Sequence, residues 1–171
     1  MTAQARRVVT GHDAQGRSIK LSDGLPPQDH AMQGAAVGAD FIELWNVPEA
    51  VPRLTSEPAN EPTARPFAIM PASGHLMRVI EIYPPDMGGQ RTVMHRTRTL
   101  DYAVVIEGEV VLILDDGETV LGPGAVVVQR GTDHAWENRS DAVTRMAFFH
   151  IAAEFADELL AKLPQPLALM E

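Results

Sequence analysis

His95, Asp101 and His134 are the residues of this chain whose types and setting point most directly to chemistry. Two imidazoles and one carboxylate suit a divalent transition metal such as Fe, Zn, Mn or Ni, and such a set leaves coordination positions open for substrate or oxygen. Without a metal, the same groups are polar anchors or proton-transfer groups in a pocket. His95 and Asp101 fall in the stretch Gly89-Gln90-Arg91-Thr92-Val93-Met94-His95-Arg96-Thr97, continuing to Gly108. His134 falls in Gly131-Thr132-Asp133-His134-Ala135-Trp136-Glu137-Asn138.

The elements that must position these groups read as β-strands. From residue 76 onward, short β-branched runs alternate with Gly, Pro and Asp, which predicts an all-β barrel or sandwich. Strands are expected at 76–83, 92–97, 101–106, 109–114, 119–121, 125–129, 134–138 and 144–152. Turns are expected at Gly108 and at Asp115-Asp116-Gly117, where Asp-Gly favours a tight hairpin. Upstream, 6–10 and 17–21 read as a hairpin or arm and 41–47 as a further strand. The prolines at 48, 52, 58, 62, 66 and 71 then mark loop, because proline cannot serve a central ladder. Phe155, Leu159, Leu160 and Leu163 predict one short amphipathic helix before Pro164. The expected division is 1–75 (strands and Pro-rich loop packing on the barrel), 76–152 (barrel) and 153–171 (helix and tail), forming one structural domain.

Composition narrows the class. The 171 residues suffice for a substantial core without a metal or disulfide staple. The absence of cysteine removes thiolate, iron-sulfur and Cys-rich zinc chemistry and suits a reducing cytoplasm. A formal charge of −9 argues against a nucleic-acid partner. No run approaches the roughly 18 apolar residues of a membrane span, so a cytoplasmic protein without a membrane partner is expected.

The two motifs resemble those of the cupins, small double-sheet jelly-roll barrels. The family's first motif runs glycine, five residues, HxH, three or four residues, glutamate, six residues, glycine. Gly89, His95, Asp101 and Gly108 match that spacing, with Thr97 in place of the second histidine and Asp101 in place of glutamate. The second motif, ending GxxHxxxN, is matched by Gly131, His134 and Asn138, although Gln129 replaces its usual proline and the spacing from Gly124 is one residue short. The resemblance covers about residues 76–151 and implies a double-stranded β-helix, or jelly-roll, with an N-terminal strand arm and a short C-terminal helix. It also implies a bend between Arg98 and Leu100, since on a straight strand at about 3.3 Å per residue Asp101 would lie nearly 20 Å from His95. Within this frame Asp101 has three roles open to it: direct ligand, ligand through water, or hydrogen-bond partner of an imidazole. The resemblance also implies a homodimer, with the N-terminal strands pairing on their own or a neighbour's barrel.

Other residues are candidates to line a small-molecule pocket. Arg78 alternates with Ile80 and Ile82 and either puts a guanidinium into an apolar pocket, suited to a carboxylate or enolate, or lies on a sheet edge in solvent or against a surface acid. Thr97 is a poor neutral ligand that leaves room for a chelating substrate. Trp136 shares strand parity with His134, and Phe148 shares it with His150, a third candidate histidine. The expected activity is a metal-assisted lyase, a dehydratase or decarboxylase type, acting on a carbonyl-containing or aromatic metabolite. An Fe(II) dioxygenase and a metal-free ligand-binding barrel are the alternatives.

Overall fold

Strands, several of them with burial that alternates along the chain, build the body of the molecule, which we describe from a computed structural model covering residues 5–32, 38–56, 61–165, 167 and 169–170. Among the described residues there are eleven strands: β1 (Arg7–His12), β2 (Ser18–Gly24), β3 (Gln28–Ala31), β4 (Ala39–Val47), β5 (His75–Ile82), β6 (Thr99–Glu107), β7 (Val110–Leu114), β8 (Gly117–Leu121), β9 (Val126–Arg130), β10 (Ala135–Glu137) and β11 (Thr144–Ala152). A six-stranded sheet has the order β3-β4-β5-β11-β6-β9 and a three-stranded sheet the order β10-β7-β8. Strands β1 and β2 form a separate antiparallel hairpin. Its Arg7 ties it to the body through Leu44 O and a Glu61 ion pair.

The two larger sheets pack face to face. Phe41, Ile80, Ile82, Ala103, Val105, Met146 and Phe148 from the six-stranded sheet share one core with Val110, Leu112 and Trp136 from the other. This is the period-2 pattern at work: β11 turns Met146, Phe148 and His150 inward while Phe149 and Ile151 face out. The architecture is the expected all-β jelly-roll.

Two motif glycines are fixed by packing. A Cβ on Gly89 would come within 1.7 Å of Tyr83 O, and one on Gly108, whose φ is 80°, within 2.8 Å of the Thr144 backbone.

The structure also departs from the sequence reading. The expected strand at 92–97 is absent: those residues are irregular apart from isolated bridges at His95 and Arg96. The chain bends at Arg98, within the expected interval, before β6 begins. β3 was not expected, because Gln28-Asp29-His30-Ala31 lacks β-branched residues and is recruited by pairing with β4. The helix shrinks to a single turn, α1 (Asp157–Leu160), with no side-chain cap at Ala156 and with Leu159 and Leu160 exposed. One turn without a cap or a buried face has little to offset the cost of helix nucleation. Among the described residues no helix is long and apolar enough to cross a membrane.

Candidate active site in the barrel

The site begins with a backbone exchange. His95 N–H donates to His134 O at 3.0 Å and His134 N–H donates to His95 O at 2.8 Å, so the two residues form a hydrogen-bonded antiparallel pair. Residues paired in this way project to the same side. Their rings accordingly lie 4.3 Å apart between centroids, although 39 positions of sequence separate them.

Each ring is then oriented through Nδ1. His95 Nδ1 donates to Val93 O at 2.8 Å and His134 Nδ1 donates to Thr132 O at 3.0 Å. A carbonyl can only accept, so both Nδ1 atoms carry hydrogen, and in the neutral rings Nε2 holds the lone pair. Burial keeps them neutral: it pulls His95 below the ordinary histidine value and takes His134, which also faces His95, down to about 4. Gln129, standing where the family has proline, donates to Thr132 O at 3.2 Å and so braces the loop that orients His134. The motif residue Asn138 is structural: its Nδ2 reaches Ile82 O and Ala142 O at 2.9 and 2.8 Å.

Asp101 is hydrogen-bonded to an imidazole through one of its two oxygens. The register of β11 against β6 sets His150 opposite Asp101, and His150 Nδ1 donates to Asp101 Oδ1 at 2.9 Å. Burial lowers the His150 basicity more than Asp101 raises it. His150 is therefore a neutral imidazole with Nδ1–H tied down, and its Nε2 is buried without a hydrogen-bond partner among the described residues. A buried polar atom left unpaired costs about 1 to 3 kcal/mol, so such an atom beside a cavity calls for a ligand.

That cavity, of about 60 Å³, is bordered by His95, Asp101, His134, Trp136, Phe148 and His150. Its aromatic wall is continuous: His134 meets Trp136 edge-on at 6.0 Å, Trp136 meets Phe148 edge-on at 5.9 Å, and Phe148 stacks on His150 at 5.3 Å. Phe41, Ile80, Ile82, Ala39, Met70 and Met170 add apolar lining, while Gln90 and Thr92 add polar atoms that sequence reasoning missed. Both lie inside the first motif, between Gly89 and His95, and that placement was the available signal.

Arg78 and Thr97 do not border the cavity. Thr97 is fully buried and accepts the Thr99 hydroxyl at 2.7 Å. Arg78 is on no edge: β5 lies between β4 and β11, and Arg78 is completely buried. Its guanidinium pairs with Glu43 at 2.7 Å, donates to Ile69 O and Ala68 O at 2.8 and 2.9 Å, and lies over Phe41 and Phe67.

The three-ligand metal set drawn from the sequence does not fit this geometry. His95 and His134 have the right donor chemistry, and Asp101 gives one oxygen, Oδ1, to His150. Among the described residues no three His, Asp or Glu side chains converge where one ion could take them all.

Two packed antiparallel sheets around a histidine-lined cavity define a jelly-roll barrel. The family model described as "Cupin domain" matches residues 79–151, and the chain belongs to the cupin family. It is similar to "Phomopsin biosynthesis cluster protein D" of Diaporthe leptostromiformis, at 35% identity over 158 residues, covering 86% of this chain and 78% of that one. It is also similar to "Cupin-domain-containing oxidoreductase fogC" of Aspergillus ruber, at 31% identity over 133 residues, covering 77% of this chain and 63% of that one. Among solved structures, the polyketide cyclase RemF of Streptomyces resistomycificus aligns with a TM-score of 0.51 at 15% identity, over 84% of this chain and 93% of that one, a likeness of fold.

Proposed function

We propose that this chain is a lyase of the dehydratase type, acting on a small, largely apolar metabolite that carries a carbonyl group. The observation that carries the reading is the His150 Nε2 lone pair, buried, unpartnered and on a residue that borders the cavity, with Nδ1–H held by Asp101. His150 Nε2 takes the proton α to the carbonyl, and the imidazolium so formed is stabilised across 2.9 Å by the Asp101 carboxylate. As the C–H electrons form the new C=C bond, the β-carbon–oxygen bond breaks. His150 returns its proton to the departing hydroxyl, so water leaves and the imidazole is neutral again. Developing charge on the carbonyl oxygen is met by Thr92, whose Oγ1 accepts Trp136 N–H at 2.9 Å and keeps its own hydrogen to donate.

The test uses 4-hydroxy-4-phenylbutan-2-one, a β-hydroxyketone, under anaerobic conditions, with the enone product followed by absorbance. Turnover is expected without oxygen, and His150→Gln is expected to lower kcat by about 10² to 10⁴-fold, the usual contribution of a positioned base. Equal turnover by wild type and His150→Gln would overturn the assignment.

A second reading, an oxidoreductase, is favoured by the name of the Aspergillus ruber relative and by the two neutral imidazoles facing each other. Product formation that stops without oxygen and consumes it in fixed ratio would establish that reading instead.

A further inference from the structure

The barrel cavity is too small for a whole metabolite. Its roughly 60 Å³ compares with about 300 to 1,000 Å³ for ordinary small-molecule sites, so it has room for a reacting group and little more. A second space of about 320 Å³ lies against it, bordered by Met70, Pro71, Ala72, Arg98, Glu154 and Met170. Met70 and Met170 border both spaces and are the partition between them. Methionine is unbranched and adapts to irregular gaps, so this partition is one that a ligand can push aside. Main-chain bonds hold its surroundings in place: Met170 N–H donates to Arg96 O at 2.9 Å, and Ala153 N–H donates to Arg98 O at 2.8 Å.

The outer space has its own charge. Arg96 is locked to Asp133, but Arg98, two residues on and at the bend between His95 and Asp101, has no ion pair among the described residues. A guanidinium offers a planar fork that fits a carboxylate with two parallel hydrogen bonds. Glu154 lies in the same space and would attract a cation instead. Arg98 is favoured because its backbone belongs to the segment that joins the two halves of the first motif, so a group bound there is in fixed register with the cavity.

We infer that the site is bipartite: the substrate is an extended carboxylic acid whose reacting end enters the barrel beside His150, whose apolar middle displaces Met70 and Met170, and whose carboxylate rests on Arg98. This rests on the lyase reading for what happens at the reacting end, but binding can be read without turnover. The experiment is isothermal titration calorimetry of the full chain at low salt with three probes of one shape: 4-phenylbutyrate, 4-phenylbutanamide and 4-phenylbutylamine. The acid is expected to bind about threefold or more tightly than the amide, the size of a favourable exposed ion pair. Arg98→Gln should remove that preference without changing the amide's affinity, and Met170→Trp should weaken all three by blocking the passage. Equal binding of acid and amide, a preference that survives Arg98→Gln, no binding by any probe, or tightest binding by the amine with loss in Glu154→Gln would each overturn it. His150→Gln should retain the acid preference, and a wild-type chain that turns nothing over yet still selects the acid sinks the elimination chemistry and leaves the bipartite site standing.

Discussion

Arg78 and His150 are two buried nitrogen bases on the inward face of adjacent strands, exposed to 0% and 2%, and each meets a carboxylate set opposite it by strand register, Glu43 and Asp101 respectively. What differs is what remains. Arg78 uses both terminal nitrogens on Glu43 and two backbone carbonyls, sandwiches itself against two aromatic rings, and stays away from the cavity even though its Nε has no partner among the described residues. His150 makes one bond to Asp101 and keeps a bare Nε2 on a residue that borders the cavity. Burial of a charged or basic side chain therefore does not by itself mark a functional site. The mark is an unpaired atom with space in front of it.

The comparison breaks most easily at Arg78. Replacing Arg78 by Met strands the Glu43 carboxylate, at a cost of about 3 to 5 kcal/mol, which corresponds to a Tm lower by roughly 6 to 20 °C in a scanning calorimeter. Adding Glu43→Leu should restore much of that loss, since an apolar pair can replace a buried ion pair. If Arg78→Met instead kept its Tm and lost activity, Arg78 would belong with His150.

Titration sharpens the contrast further. Burial brings Arg78 down only to about 10, so it stays charged through the neutral range, whereas His134 is brought to about 4 and is neutral there. The unfolded chain binds a proton at His134 near pH 6.5 and the folded chain does not until about pH 4, so the stabilisation is present above 6.5 and is lost as pH falls through that window. Its size is on the order of 3 kcal/mol. Urea unfolding between pH 7 and 4 should show this decline, and His134→Phe should flatten it; an equally steep decline in the variant would place the titrating group elsewhere.

The smallest expected effect concerns metal. With Asp101 held by His150, dialysis against a chelator is expected to change the Tm by no more than about 1 °C. A fall of roughly 5 to 10 °C, the contribution of an ion held at about 100 times its Kd, would return Asp101 to a ligand role.

The fold was legible because it is written in local pattern. Alternation along 144–152 and the spacing of Gly89, Gly108 and Gly131 identified the barrel strands and turns, and the bend before Asp101 fell where the motif required. The pairing of charges was not legible, since it depends on which strands become neighbours. Nothing near Asp101 announces His150, which is 49 residues away, and nothing near Arg78 announces Glu43; both pairs follow from register across a sheet whose order is β4-β5-β11-β6. Met170 enters the cavity from beyond the last strand and carries no motif at all.

The central claim is that His150 is a neutral imidazole with hydrogen on Nδ1 and a bare Nε2. Long-range proton–nitrogen correlation NMR of the imidazole rings at pH 7 tests it most directly. The account predicts a protonated, pyrrole-type Nδ1 and an unprotonated, pyridine-type Nε2 for His150, with Asp101→Asn disturbing that distribution. Hydrogen on His150 Nε2 at neutral pH would contradict it.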